Sequence, residues 1–415
     1  MIMFIGKYKK IKVQMDIISF LIKEGRCIIM MPKITSIQMG KIIEQSIIEG
    51  DKKPMLFLGK TGIGKTATVE ELCKKHNIGH IDIRILNHTE TDFKGLPYPD
   101  ANREFTVYLQ NKMFPIAERD GERGILVLDE VTSGFKSVRT AIYQLMQERC
   151  IGEYRLPDGW QIICLGNGEN DGGDFNGIEA AFGARCECYR VESTSTDYLK
   201  YGNSHGVSDL VLAYIEFSPA SLHTYDVEKE GTEDCLGFAC NRAWSTVSDI
   251  LEKKGITMTE GSLDEITRIK INGNIGVAEG EKFMTFVDLK REVVSCKDIS
   301  EGKEVKAPKR TETLFLTASG LKALMCELVD TGGYNGDDST LSTKLMTNIA
   351  NCLLWLIKNT SIEITTSCVS GWCHKSLNGQ SLFLSEKFDS FCDNSDKYSE
   401  INKFFFEHEG IFTLD

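Results

Sequence analysis

The chain has 415 residues, enough for two or three domains, and its 41% hydrophobic and 26% charged residues allow ordinary globular cores. Its net charge of −12 argues against nucleic acid as the main partner, because neutralising phosphates takes clustered Lys and Arg. Its fourteen cysteines include no Cys-x-x-Cys pair, which excludes an obvious zinc framework.

Residues 1–32 are apolar in patches but broken by Lys, Asp, Glu and Arg, and no run reaches the roughly 18 apolar residues of a membrane helix. A small-residue cleavage site after an uninterrupted apolar core is also missing. Met15, Met30 and Met31 all precede the first well-patterned segment, so this stretch is expected to be a loosely attached extension or a start assigned too early. Without a leader, the cysteines are expected to be reduced and the protein cytoplasmic; the closest sets are Cys186/Cys188, Cys235/Cys240 and Cys368/Cys373.

"PMLFL" (Pro54 to Leu58) reads as a buried strand, and "GKTGIGKT" (Gly59 to Thr66) follows it. A phosphate loop needs Gly-x-x-x-x-Gly-Lys-Ser/Thr. Gly59 opens that frame; Lys60, Thr61, Gly62 and Ile63 fill it; Gly64, Lys65 and Thr66 close it. The earlier Gly-Lys-Thr would need a glycine at position 54, which is Pro54, so Lys65 is the working lysine. "TATVEELCKKH" then has helical spacing, with Val69, Leu72 and Cys73 on one side. In a strand–loop–helix unit of this kind, backbone N–H groups and the helix dipole close on phosphates. Lys65 would reach the β- and γ-phosphates, and Thr66 would coordinate Mg²⁺.

"HIDIRIL" (His80 to Leu86) alternates and reads as the second strand, and "EFTVYL" as a short strand or hairpin arm. "GILVLDE" is an apolar strand ending in Asp129 and Glu130, at the sheet edge where α/β folds bind ligands. Asp129 would hold Mg²⁺ through water, and Glu130 would orient or deprotonate the attacking water. Val138, Ile142, Leu145 and Met146 mark a helix. In "IGEYRLPDGW" a Pro-Asp-Gly turn suggests a hairpin, and "QIICLGN" is a further buried strand ending at Asn167. An Asn before glycine is ordinarily a turn residue; beside these motifs it becomes a candidate contact for the γ-phosphate or its water.

Taken in order, "GKTGIGKT", "TDFKGLPYPD", "GILVLDEVTSG", "AIYQLMQERCIGEYRLPDGWQIICLGN", "IEAAFGARCECYRVE" and "CNRAWSTVSDIL" resemble the MoxR-like AAA+ ATPases that work beside von Willebrand A-type partner proteins. The resemblance covers most of residues 54–192, extends into the following helices, and fades beyond about residue 300. It implies an α/β fold: a P-loop AAA+ core with a parallel sheet (33–195), an α-helical lid (196–300) and a mostly helical C-terminal region (301–415). It implies an ATPase using ATP and Mg²⁺, with Lys65 and Thr66 as the Walker A pair, Asp129 and Glu130 as the Walker B pair, and Asn167 as the first sensor. Arg185 would be the arginine finger entering a neighbouring subunit's site, with Arg190 its nearest competitor, and Arg242 the second sensor. "GLPYPDANREFTVYL" would be the helix-2 insert and "IGEYRLPDGW" the pre-sensor hairpin, both facing a ring pore or a client. One departure is Gly168, where relatives often carry Arg.

Beyond the core, "SDLVLAYIEFSPASL" and "CNRAWSTVSDILEKKG" carry helical stripes, and "GNIGVAEGEKFMTFVDLKREVV" continues as helices with a bend at Gly276. "DISEGKEVKAPKRTETL" reads as a charged linker, and "LSTKLMTNIANCLLWLIKNT" as a buried core helix. Cys373 and His374 in "GWCHK" lack a second ligand pair, so packing is the plain reading. The expected function is a hexameric, ATP-hydrolysing ring that remodels a protein partner, with no membrane role. The competing expectations are a DNA-directed motor of restriction type and a nucleotide-gated scaffold. Asn-Lys-x-Asp is absent, but restriction-type relatives use GTP without it, so the base stays open.

Overall fold

The computed structural model describes residues 31–408, except 173–174, 231 and 234–235. The expected N-terminal extension falls almost wholly outside the described residues, as does Cys235.

Strand β1 (Lys33–Thr35) and helix α1 (Ser36–Glu49) lead into β2 (Met55–Gly59), the glycine loop and α2 (Lys65–His76). There follow β3 (Gly79–Arg84), the hairpin of β4 (Leu96–Pro99) and β5 (Thr106–Leu109), then β6 (Arg123–Asp129) and α3 (Lys136–Glu148). A second hairpin, β7 (Cys150–Ile151) and β8 (Tyr154–Arg155), precedes β9 (Gly159–Gly166) and β10 (Glu187–Glu192). Six of these strands form one all-parallel sheet in the order β1-β10-β2-β9-β6-β3. The apolar runs make this possible, because a parallel sheet covered on both faces needs side chains that tolerate burial in both directions. Phe57, Val127 and Leu165 face Met39, Ile43 and Val69 of α1 and α2, and their neighbours Leu56, Leu128 and Cys164 face Val138, Ile142 and Leu145 of α3. The expected α/β core is what the chain forms.

The second hairpin closes one turn earlier than the sequence suggests. Its turn is Gly152-Glu153, with Gly152 at φ +57°, whereas Pro157-Asp158-Gly159 leads into β9. There the Trp160 N–H donates to the Pro157 carbonyl, so that turn starts a core strand instead of joining two arms.

Five helices follow: α4 (Ser195–Ser204), α5 (Asp209–Phe217), α6 (Asn241–Lys253), α7 (Glu265–Ile275) and α8 (Val277–Asp288). They share a core of Leu210, Trp244, Ile271, Phe283 and Phe286. Gly276 makes the bend between α7 and α8 at φ +81°, where a side chain would collide with the Gly237 carbonyl. The C-terminal region contains α9 (Thr311–Thr331), α10 (Thr343–Asn359) and α11 (Ile362–Lys375). The expected linker is irregular over residues 301–310 and is bounded by helices on both sides: a short helix covers Cys296–Ser300 and α9 starts at Thr311. Leu316 of α9 belongs to the core of the preceding helices, so the two regions are packed together. Among the described residues no helix is long and apolar enough to cross a membrane.

Candidate active site

The parallel register places the C-terminal tips of β2, β6 and β9 side by side, which brings Gly59, Asp129 and Asn167 together although they lie far apart in sequence. Gly62 and Gly64 sit at φ +74° and +94°, so the loop backbone takes a course that other residues would strain. Gly64 also starts α2 with no side-chain cap, which leaves first-turn amides for an anion.

Lys65 is held at three points. Its Nζ donates to the Gly59 carbonyl (2.6 Å), the Lys60 carbonyl (2.9 Å) and Asn167 Oδ1 (3.2 Å). An ammonium has only three N–H donors, so a phosphate must compete for them. Burial pushes the Lys65 ammonium down to about 8, with Asp129 and Asp171 opposing that shift. Because the folded value lies below that of the unfolded chain, the cost of burying the charge is present below about pH 8 and fades as pH rises towards the unfolded value. A bound phosphate reverses the shift by pairing the charge. Calorimetry of ATP binding in buffers of different ionisation enthalpy should therefore show uptake of about one proton near pH 9 and almost none near pH 7. Buffer-independent heats near pH 9 would contradict this.

The metal side is equally defined. The Thr66 hydroxyl donates to Asp129 Oδ2 at 2.9 Å, and the Glu130 N–H donates to Asp129 Oδ1 at 2.8 Å. Desolvation first, and Asp129 and Glu130 next, push Asp82 on β3 up to about 6, a local excess of negative charge that a divalent cation would relieve. No cluster of three or more metal-binding side chains occurs among the described residues. Mg²⁺ takes one or two protein ligands and fills its octahedron with water and phosphate oxygens. Thr66 and Asp129 are the residues that would hold it.

Asn167 is positioned from both sides: its N–H donates to the Thr132 hydroxyl (3.1 Å), and its Oδ1 meets Lys65. Next to it lies an ion pair with no evident sequence signal, between the buried Asp171 and Arg190. Asp171 also accepts from the Gly168 N–H (2.7 Å), and its carbonyl accepts from the Thr61 N–H (3.1 Å). The pair explains Gly168: a side chain there would collide with the Arg190 guanidinium and the Asp171 carboxylate. The glycine-rich segment after Asn167 therefore carries the acid that ties the sensor turn to the phosphate loop. Replacing Asp171 by Ala leaves Arg190 unpaired and should cost about 3 kcal/mol, read as a lower urea midpoint of the nucleotide domain. An unchanged midpoint would show that the pair does not hold the loop.

The helices after the sheet close over the loop. Arg242 lies in the first turn of α6, where its N–H donates to the Gly62 carbonyl at 3.1 Å, and its exposed side chain lines the cavity. Cys240 packs so closely on Gly62 that a side chain there would meet its sulfur, and His223 Nε2 lies 3.2 Å from the Thr61 carbonyl. The cavity, of about 570 Å³, extends from Gly62–Thr66 along α2 between α1 and α4, large enough for a nucleoside.

Arg185 is not brought to this site. It precedes β10, whose Glu187 pairs with Met55 and Val191 with Gly59; those four strand positions span about 13 Å, and Arg185 lies two residues before them, at the end of the strand away from the loop. Its guanidinium stacks on Tyr143 (4.8 Å) and donates to the Ala181 carbonyl. Arg190 reaches the loop end but is committed to Asp171. Cys373 is packed in the C-terminal core at 2% exposure.

No known family profile and no curated protein matches the chain. Solved structures with weak likeness include a proposed ATPase from Cytophaga hutchinsonii (14% identity, 65% of this chain, 89% of that one, TM-score 0.32). Others are the Thermotoga maritima RuvB Holliday junction branch migration motor (11%, 64%, 72%, TM-score 0.32) and Brucella abortus NtrX in complex with ADP (12%, 88%, 67%, TM-score 0.31). At such scores these likenesses carry no weight, and what the chain does has to be read from the site itself.

Proposed function

We propose that the chain is an AAA+ ATPase of MoxR-like type, hydrolysing ATP with Mg²⁺ in a homo-oligomeric ring, on a hexameric plan. Its work would be to remodel or activate a protein partner in the cytoplasm, including one of von Willebrand A type. The observation that carries this reading is the division of the catalytic set. Lys65, Thr66, Asp129, Glu130 and Asn167 lie together at one end of the parallel strands, while Arg185 precedes the other end of β10, away from its own chain's phosphate loop. The γ-phosphate charge is then fully met only when subunits dock, which makes hydrolysis depend on assembly.

A protein client is favoured over DNA by the hairpin of β4 and β5. It exposes Leu96, Tyr98, Phe105, Tyr108 and Leu109, an apolar and aromatic surface in an acidic chain. The test is the ATPase rate per subunit against protein concentration, with mass photometry on the same samples. A rate that rises steeply as hexamer-sized particles appear supports the ring. A flat rate from a persistent monomer leaves a nucleotide-gated switch instead.

A further inference from the structure

The cavity beside the phosphate loop is lined almost entirely by the sheet domain and by α4 and α6. One described residue from beyond position 300 joins them: His374, in the last turn of α11. The phosphate end is fixed by Gly62–Thr66, and the cavity then follows α2 to Glu71 and Leu72, about 9 Å further on, the span of a nucleoside. His374 shares that far end with the C-terminal half of α4, against which α11 packs.

Its ring is oriented. His374 Nδ1 lies 2.7 Å from the Ser370 carbonyl, which can only accept, so Nδ1 carries the proton in the neutral ring. Nε2 then offers a lone pair, and it has no hydrogen-bond partner among the described residues. The neighbouring His205 and Ser204 are already engaged. Both nitrogens of His205 face oxygens, the Tyr201 carbonyl (2.9 Å) and the Glu71 carboxylate (2.9 Å), and the Ser204 hydroxyl donates to the Tyr201 carbonyl (2.9 Å). The position of His374 is rigid as well. Its neighbour Lys375 pairs with Asp209 of α5 at 2.7 Å, Asp209 also meets the buried Lys322 of α9 at 3.3 Å, and Lys322 donates to Asn203 of α4 at 3.0 Å.

We propose that His374 is a specificity-determining residue for the base, its Nε2 accepting from the 6-amino group of adenine and disfavouring the 6-oxo group of guanine or hypoxanthine. The assignment rests on the nucleotide reading of this cavity. An acceptor facing a 6-amino donor is satisfied, whereas facing a 6-carbonyl it leaves two acceptors opposed and a buried polar atom unpaired. Base choice thereby belongs to the C-terminal region, and a bound adenine would link that region to the loop through α4.

The experiment is a competition titration of the full chain with ATP and inosine triphosphate, which differ at the position His374 would read. Wild type should bind ATP on the order of tenfold more tightly. His374→Ala should bring the two within about twofold, and the donor-only His374→Arg should reverse the order, both with thermal midpoints near wild type. A ratio unchanged in His374→Ala overturns the proposal, as does equal binding of both nucleotides by wild type. If wild type binds neither, the nucleotide reading itself fails, and Lys65→Ala gives the reference for that outcome by weakening both alike.

Discussion

Glu130→Gln is expected to bind ATP with Mg²⁺ at close to wild-type affinity while hydrolysing it on the order of 10²- to 10³-fold more slowly. Glu130 follows β6 at φ +58°, a left-handed conformation that costs a non-glycine residue about 1 kcal/mol. Its backbone is clamped there: the N–H donates to Asp129 Oδ1, and the carbonyl accepts from the Ser133 and Gly134 amides at 3.0 and 3.2 Å. The clamp fixes the backbone of Glu130 directly after Asp129, whose Oδ2 holds Thr66, and the Glu130 carboxylate has no hydrogen-bond or ion-pair partner among the described residues. A carboxylate so placed can take a proton from water, and an amide of the same shape cannot. The backbone contacts survive the substitution, so Asp129 keeps its orientation and metal-dependent binding persists. Fluorescent-nucleotide titration and phosphate release on the same preparation separate the two effects, and a wild-type rate in Glu130→Gln would remove Glu130 from the reaction.

The parts of this site that sequence reveals are those whose chemistry is local. The phosphate loop needs its glycines at fixed spacing, and β2, β6 and β9 need uninterrupted apolar runs because both of their faces are covered. Lys65, Thr66, Asp129 and Asn167 therefore come out by position alone, and the structure brings them into hydrogen-bond contact. Asp171 and Arg190 do not, because an acid in a glycine-rich turn and an arginine on a strand give no periodic signal; only folding makes them partners. The same holds for His374, which joins the cavity because the Asp209–Lys322–Lys375 cluster docks the C-terminal helices on α4 and α5. Where local chemistry misleads, tertiary context has overridden it. Pro157-Asp158-Gly159 has the composition of a hairpin turn but serves the start of β9.

The largest effect is expected at Arg185, where replacement by Ala should lower hydrolysis on the order of 10³-fold or more without loss of ATP binding. The geometry also makes a sharper demand. If Arg185 serves the neighbouring subunit, a competent interface needs Lys65 from one chain and Arg185 from the next. Arg185→Ala subunits keep their own Lys65, and Lys65→Ala subunits keep their own Arg185. Mixed one to one, about a quarter of the interfaces would pair an intact site with an intact finger, so the mixture should recover about a quarter of the wild-type rate although each parent is nearly inactive. Arg190 provides the contrast. It is bound to Asp171 within its own chain, so an Arg190→Ala defect sits in the same subunit as the loop it supports. For Arg185, a mixture that never exceeds either parent would rule out action across the interface. Its contact with Tyr143 would then be an ordinary structural one, and the concentration dependence of the ATPase would vanish with it.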